Sequence, residues 1–341
     1  RNKMSYCVYI TALLSISLFS CTDNSRINQT NFDLDKTFDL TVADANQPVF
    51  ALIYIAEQQG YFIDVGLNIT YLNYTSGRDA LQSLIENKSD LALVYETPVV
   101  HQAFNQKPIK ILSSLHSSEL NTGLVIKRDH GIQTINQLIG KNIGVPIKTN
   151  AEFFLHTLLQ SHNIDIEQVN IIDIKPQDSA KLITEGVIDA VAAWNPHLYN
   201  AKKQFPAKQV HIYHSALYSE MSMLVTVQDK IHHNRERFVR FLSALRKAKL
   251  FKQKYPKESL ALVIKHLNNS YDKKSIEDTW HDFYTEMTLS NQLLGLLTLE
   301  AHWMKEQGIT NAQLPNFIDY IDSSILAEVD QGAVTIVDSS K

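Results

Sequence analysis

The feature that most constrains the fold is an alternation of short apolar segments and loop-forming residues between Pro48 and Pro98. An apolar segment ends at Gly60, residues 67–73 alternate like a β-strand, and residues 77–87 carry apolar side chains at helical spacing. Periodicity alone does not separate helix from strand in the first segment, but Pro48 at its start and Gly60 just past its end predict a helix. Strands that alternate with helices predict an α/β fold with mostly parallel sheets.

The alternation continues to about residue 227, and the chain beyond residue 234 reads as helical with little strand signal. Residues 149–152, Thr-Asn-Ala-Glu, have the form of a capping box that opens a helix, and residues 235–255 form one long amphipathic helix. The sequence therefore predicts two α/β units followed by a helical third. The other predicted strands cover residues 38–42, 90–94, 109–115, 124–127, 141–147, 169–175, 187–194, 209–214 and 221–227.

Length, charge and cysteine content narrow the class of protein. The chain has 341 residues and a net charge of −4, so it suits two lobes and lacks the basic excess of a nucleic-acid-binding protein. Its two cysteines, Cys7 and Cys21, both precede the predicted globular body. The body therefore has no internal disulfide, thiolate nucleophile or cysteine-ligated metal.

The first residues predict export. A basic start precedes a mostly apolar run over residues 8–19, which is shorter than the about 20 residues of a membrane span and suits a signal peptide over residues 1–20. The run ends in Leu-Phe-Ser-Cys, which resembles a bacterial lipobox and predicts lipidation of Cys21, although Phe19 is uncommon at its place in that motif. The alternative is an ordinary signal peptide with an incidental cysteine. Residues 21–36 are polar and predict a flexible tether, and an arginine at residue 1 leads us to expect the natural start elsewhere.

Five segments, in their order along the chain, resemble the periplasmic solute-binding proteins of ABC importers. The resemblance is strongest to the nitrate/sulfonate/taurine group, which also contains thiamine-precursor binders. The segments are IAEQQGYFIDVGLNI (55–69), ALQSLIENKSDLALV (80–94), LIGKNIGVP (138–146), KPQDSAKLITEGVIDAVAAWNPH (175–197) and the strand plus long helix over 224–250.

The resemblance implies a two-lobe periplasmic-binding-protein fold of type II, with mostly parallel sheets, helices on both sheet faces and a helical C-terminal third. By analogy, lobe one takes residues 37–121 and 223–341, and lobe two takes residues 122–222. A small-molecule ligand would sit between the lobes, and an ABC importer permease would read their closure. We expect an exported monomer, in the periplasm or on the outer face of the membrane, that touches the membrane through its lipid anchor only.

The family's ligand site comes from loops that follow the strands. The positions transferred in lobe one are Gln47, Ser76, Gly77, Arg78, Glu96 and Thr97, and those in lobe two are Lys148, Thr149, Asn150, Trp194, Asn195 and Met221.

Four of these positions have independent arguments. Thr149 and Asn150 lie at a helix start, where free amides favour an anionic group, but Thr149 is expected to cap the helix in any case. Arg78 would donate two hydrogen bonds to a carboxylate, sulfonate or phosphate, or else lie solvated on the surface. Trp194 would form an aromatic wall of the site, or else belong to the core.

Glu96 replaces the small residue that many anion-binding relatives have before the proline. A carboxylate in the cleft would repel nitrate or sulfonate unless a cation such as Arg78 or Lys148 paired with it, and it would favour an amine, amidine or protonated heterocycle. Glu96 would alternatively cap the following helix. We therefore expect a small organic solute with a cationic or hydrogen-bonding nitrogen, with or without an anionic group.

Other functions remain open. The thirteen histidines match no zinc signature, and we expect neither a metal nor a cofactor. An enzyme like the pyrimidine-precursor synthases of the same superfamily would need a cysteine-rich motif that the body lacks. No nucleophile elbow, P-loop or dinucleotide fingerprint is present in the sequence, so we expect a binder. A lipoprotein that senses a solute is the remaining alternative to one that delivers it.

Overall fold

The computed structural model describes residues 32–128, 132–267 and 270–337. The signal peptide and Cys21 therefore lie outside the described residues, as does most of the predicted tether. Near the end of that tether, the carbonyl oxygen of Asp33 accepts a hydrogen bond from the buried guanidinium of Arg240 over 2.8 Å.

Two sheets divide the described chain into two lobes. The first sheet contains β1 (Phe38–Asp44), β2 (Leu67–Asn73), β3 (Leu91–Tyr95), β4 (Ile109–Ser118), β10 (Glu220–Val227) and β11 (Tyr284–Thr288), in the order β11-β4-β10-β3-β1-β2. The second contains β5 (Thr122–Lys127), β6 (Asn142–Val145), β7 (Asn170–Asp173), β8 (Ala190–Trp194) and β9 (Val210–Tyr213), in the order β7-β6-β8-β5-β9. The chain passes between the sheets after β4 and again after β9.

Eleven α-helices accompany the strands in the described residues. They are α1 (Ala51–Gln58), α2 (Gly77–Ile85), α3 (Glu96–Phe104), α4 (Asn150–Gln160), α5 (Ser179–Thr184), α6 (His197–Lys202), α7 (Gln228–Lys254), α8 (Pro256–Leu267), α9 (Lys273–Thr279), α10 (Asn291–Glu306) and α11 (Ser323–Val329). None of them combines the length and apolar character that crossing a membrane requires.

The pairing of the strands is more mixed than the prediction of mostly parallel sheets implies. Strands pair in parallel in β1–β2, β1–β3, β6–β7 and β6–β8, whereas β10–β3, β10–β4, β11–β4, β5–β8 and β5–β9 are antiparallel. The parallel pairs occur where a helix returns the chain to the same edge of the sheet. The strands that carry the chain between the sheets, together with edge strand β11, add the antiparallel pairs. Each sheet is therefore mixed, and the two-lobe α/β architecture is confirmed.

Two further differences lie in the C-terminal part. Strand β11 was not predicted, because its sequence Tyr-Thr-Glu-Met-Thr is half polar and it lies at a sheet edge. Helix α7 begins at Gln228, directly after β10, rather than at the predicted residue 235. The predicted lobe boundaries stay a prediction, although β10, which starts at Glu220, belongs entirely to the first sheet.

Candidate functional site

The last residues of three strands, two from the first sheet and one from the second, bring polar and aromatic side chains together. Asp44 ends β1, Tyr95 ends β3 and Trp194 ends β8. We call this group the Asp44 cluster; its members are Asp44, Gln47, Tyr95, Trp194, His197 and Tyr271.

Asp44 is fully buried and only half satisfied. Its Oδ1 accepts from the Tyr54 hydroxyl over 2.9 Å and from the Asn46 amide over 2.7 Å, whereas its Oδ2 is buried without a hydrogen-bond partner. Burial raises the pKa of Asp44 to about 6, against the two hydrogen bonds, which lower it. The carboxylate is therefore mostly ionised near neutral pH and has an open acceptor.

Gln47 and Trp194 present open donors. The Tyr95 hydroxyl donates to Gln47 Oε1 over 2.9 Å, which leaves Gln47 Nε2 buried and unpaired. The indole Nε1 of Trp194 is also buried and unpaired, and the Trp194 ring centroid lies 6.2 Å from that of Tyr95. Each unmatched buried polar atom costs about 1–3 kcal/mol, so the cluster favours a group that pairs with these atoms.

His197 and Tyr271 complete the cluster on the Trp194 side. The His197 ring centroid lies 6.1 Å from that of Trp194 and 5.7 Å from that of Tyr271. Burial lowers the pKa of His197 to about 4, so this imidazole is neutral at pH 7. Burial and then the nearby charge of Asp44 raise the pKa of Tyr271, which places Tyr271 beside the carboxylate.

A second buried carboxylate, Glu220 at the start of β10, links the two segments that connect the sheets. Its Oε1 accepts from His116 Nε2 over 2.9 Å and from Asn121 Nδ2 over 2.6 Å, and its Oε2 accepts from the Thr122 hydroxyl and from Asn150 Nδ2 over 3.1 Å. Asn150, a predicted ligand residue, is thus part of a satisfied network. Its side chain holds the start of α4 against the junction.

Glu96 and Met221, two other predicted positions, contact each other. Glu96 Oε1 accepts from the Tyr218 hydroxyl, and Oε2 accepts from the Met221 amide over 3.1 Å. Thr97, which follows Glu96, has a buried hydroxyl with no hydrogen-bond partner. Both Glu96 oxygens are therefore engaged, and Asp44 is the carboxylate with a free acceptor near Trp194.

Arg78 makes a contact between the lobes, whereas Lys148 makes a local contact in the second lobe. Arg78 Nη1 donates to the carbonyl oxygen of Ile147 over 2.7 Å, which joins α2 to the loop after β6. Lys148 has a positive φ of 59°, and its amide donates to Glu152 over 2.7 Å.

The predicted capping box at Thr149 is wrong in its bonding. Thr149 occupies the N-cap position of α4, but its hydroxyl donates to the Pro146 carbonyl oxygen over 2.6 Å instead of accepting from the helix. The Glu152 carboxylate reaches Lys148 rather than Thr149. The chain turns at Lys148, which has a positive φ, and the Glu152 carboxylate meets the amide one residue before the predicted one.

The last three predicted positions support the scaffold. Ser76 caps α2 by accepting from the Asp79 amide over 3.2 Å. A Cβ on Gly77 would lie 3.1 Å from Val94 Cα, so this glycine allows α2 to pack closely on β3. Asn195 Nδ2 donates to Asp282 over 2.9 Å.

The structure thus places Gln47 and Trp194 in one cluster, leaves the Thr97 hydroxyl without a hydrogen-bond partner, and engages the remaining positions in local or inter-lobe contacts. Sequence reasoning missed Asp44, Tyr95, His197, Tyr271 and Glu220. Asp44 carries a signal that could have found it, since it is an acidic residue at the end of an apolar strand. Within the described residues, no group of three or more His, Cys, Asp or Glu side chains is arranged to hold a metal ion.

The family model described as "NMT1/THI5 like" matches residues 47–259, which is more than half of the chain. The chain belongs to the NMT1/THI5-like family. The matched region includes most of the Asp44 cluster but excludes Asp44 and Tyr271 themselves.

This NMT1/THI5-like chain is similar to named binding proteins. It is 27% identical over 233 residues to a putative aliphatic sulfonates-binding protein of Bacillus subtilis, covering 66% of this chain and 69% of that protein. It is 24% identical over 195 residues to a formylaminopyrimidine-binding protein of Halalkalibacterium halodurans, covering 57% and 58%. Its fold matches the alkanesulfonate-binding protein SsuA from Xanthomonas axonopodis pv. citri bound to MOPS, with a TM-score of 0.72 and 14% identity over 84% of this chain and 98% of that one.

Proposed function

We propose that this NMT1/THI5-like protein binds a small organic solute between its two lobes, outside the cytoplasm, and delivers it to an ABC importer. The observation that carries the proposal is the set of three buried, unpaired polar atoms in the Asp44 cluster: Asp44 Oδ2, Gln47 Nε2 and Trp194 Nε1. Asp44 and Gln47 belong to the first lobe and Trp194 to the second, so a solute that pairs with all three stabilises the closed arrangement.

The open atoms define the chemistry of the solute. The Asp44 carboxylate oxygen accepts a hydrogen bond, so the solute needs an N–H donor, preferably a cationic one. The Gln47 and Trp194 nitrogens donate, so the solute also needs acceptor atoms. The rings of Tyr95, Trp194 and Tyr271 suit a planar, apolar body between these groups. An aminated heterocycle satisfies these requirements, and the relative named as a formylaminopyrimidine-binding protein supports this class of solute.

The remaining parts of the proposal rest on the similarity to solute-binding proteins. They are lipid anchoring at Cys21, docking to a permease and release of the unchanged solute. A sensing role with the same solute is the second candidate. Genes for a permease and an ATPase next to this one would favour import over sensing.

Native mass spectrometry of the purified full chain, looking for a co-purified small molecule, tests the proposal. Isothermal titration against a panel of amines, aminated heterocycles, nitrate and sulfonates then defines the class. We expect binding of a nitrogen base at one site per chain. Tight binding of nitrate or sulfonate without response to any amine would reject the solute class, and turnover of the bound compound would reject the binder.

A further inference from the structure

Glu300 is a buried carboxyl group that the proposed solute site does not use. It lies in the middle of α10 and is fully buried; its two oxygens accept no hydrogen bond of normal geometry, although the Thr97 hydroxyl lies beside it. An ionised carboxylate in this position would lose its hydration without compensation, which is strongly unfavourable. Something must neutralise it.

Another buried carboxyl group, Glu96 at the start of α3, is an ionisable neighbour of Glu300. Helices α3 and α10 pack against each other, and the charge of Glu96 acts on Glu300. Glu96 accepts hydrogen bonds from the Tyr218 hydroxyl and from the Met221 amide.

The surroundings supply negative charge rather than positive charge. Glu220 acts on Glu96 from β10, and Tyr218 contacts Glu96 from the segment before β10. Within the described residues, neither Glu96 nor Glu300 forms an ion pair with a lysine or arginine. The other titratable groups around this junction are Tyr95, His101, His116, Lys148 and His156.

We propose that Glu96 and Glu300 share one proton, and that this proton stabilises the contact between the two lobes. Two carboxyl groups that lie together in a buried site cannot both ionise, so one remains protonated and donates to its neighbour. The shared proton satisfies an oxygen of Glu300 that is otherwise unmatched.

The directions of the pKa shifts agree with this arrangement. Burial and then the charge of Glu96 raise the pKa of Glu300 well above its ordinary value, and burial and then the charge of Glu220 raise the pKa of Glu96 to about 8. The folded chain thus keeps protons that the unfolded chain releases near pH 4.5. The stabilisation is complete below that pH and is lost as pH rises through about 8.

The pair lies where the lobes meet. The Tyr218 ring contacts Phe153 on α4 with centroids 5.3 Å apart, while its hydroxyl holds Glu96. Trp303, on α10 one turn after Glu300, contacts the same Phe153 with centroids 5.1 Å apart. Helix α4 packs on the second sheet, so a second negative charge on the pair would weaken a contact between lobes.

The test compares the wild type with Glu300→Gln, which keeps the shape of the side chain and removes its charge. Thermal unfolding is followed from pH 5 to pH 9, and small-angle scattering measures the radius of gyration of the ligand-free protein. We expect the wild type to lose thermal stability progressively from pH 5 to about pH 8 and to expand between pH 7 and pH 9, and Glu300→Gln to show both changes much less. Glu306→Gln, an exposed change on the same helix, should follow the wild type.

Infrared spectroscopy of the wild type gives a readout that needs no variant. A protonated carboxylic acid band should persist at pH 7 and disappear toward pH 9. Its absence at pH 7, or equal pH profiles for the wild type and Glu300→Gln, would overturn the proposal. If Glu300→Gln does not fold, Glu96→Gln and the wild-type band decide. No solute is involved, so the result is independent of the proposed transport role.

Discussion

The Tyr95 hydroxyl donates to Gln47 Oε1 over 2.9 Å, and this bond orients the Gln47 amide. The Tyr95 oxygen also accepts from Asn121 Nδ2 over 3.4 Å, so its own hydrogen is available for Gln47. With Oε1 engaged, Nε2 is the group left for a ligand. A residue at the connection between the sheets therefore acts through Tyr95 on the donor that we assign to solute binding.

Replacing Asp44 with Asn should weaken binding of a cationic solute. Asparagine keeps the acceptor for Tyr54 but removes the charge, and hydrogen bonds to charged groups are worth about 1.5–3 kcal/mol, which corresponds to a tenfold or greater rise in Kd. Isothermal titration with the co-purified solute measures this. The matched control is Asp39→Asn, an exposed change on the same strand, which should leave Kd unchanged.

Binding of the same solute should depend on pH through Asp44. The pKa of Asp44 is about 6, so acidification below that value protonates the carboxyl group and removes its attraction for a cation. We expect Kd to rise as pH falls from 7 to 5 in the wild type and to stay nearly flat in Asp44→Asn. A parallel rise in both proteins would assign the pH dependence to another group.

Trp194→Phe should reduce affinity by about fivefold or more, because it deletes the open indole N–H and retains an aromatic ring, at a cost of about 1 kcal/mol. Trp303→Phe is the matched control, since Trp303 Nε1 is also buried and unpaired but lies at the contact of α10 with α4. Both changes should lower the melting temperature to a similar extent. Equal losses of affinity would argue against a direct contact between Trp194 and the solute.

Glu220→Gln should destabilise the protein by about 3 kcal/mol, because an amide nitrogen would face side chains that donate hydrogen bonds to the carboxylate. Urea unfolding measures the free energy of unfolding. Glu258→Gln, an exposed change on α8, should be neutral within error. A neutral Glu220→Gln would show that the network contributes little to stability.

Two glycine substitutions should have opposite effects. Gly77→Ala places a Cβ 3.1 Å from Val94 Cα and should destabilise by about 1–3 kcal/mol through overpacking of α2 on β3. Gly295→Ala, in α10, meets nothing within 4 Å and should stabilise by about 0.5–1 kcal/mol through helix propensity. Urea unfolding of both variants provides the comparison. A tolerated Gly77→Ala with impaired solute binding would instead support the ligand contact predicted from the sequence.

The sequence predicted those parts of the fold that depend on local periodicity. The strand over residues 67–73 coincides with β2, and the helix predicted from residue 77 begins there in the structure. Strand β11 was not predicted, because it is recognised only by its pairing with β4, which lies more than 160 residues away in the chain. The antiparallel pairs were not predicted for the same reason, since pairing partners that are distant in sequence leave no local pattern.

Part of the candidate site was also accessible from the sequence. Gln47 and Trp194 were predicted from the family resemblance, because Gln47 follows a strand and Trp194 ends one. Glu96 lies where it was expected, but its oxygens face Tyr218 and Met221, which only the three-dimensional packing reveals. Glu300 had no sequence signal, because a glutamate on a helix is usually solvated.

The Glu220 carboxylate accepts hydrogen bonds from Asn121 and Thr122, which lie in the first segment that joins the lobes. Because Glu220 is also the first residue of β10, its side chain links the first joining segment to the second. Any rotation of one lobe relative to the other must then pivot about Glu220 and its hydrogen-bond partners. Spin labels placed near it would keep a nearly constant separation, whereas labels at the far rims of the lobes would report the full amplitude of the motion.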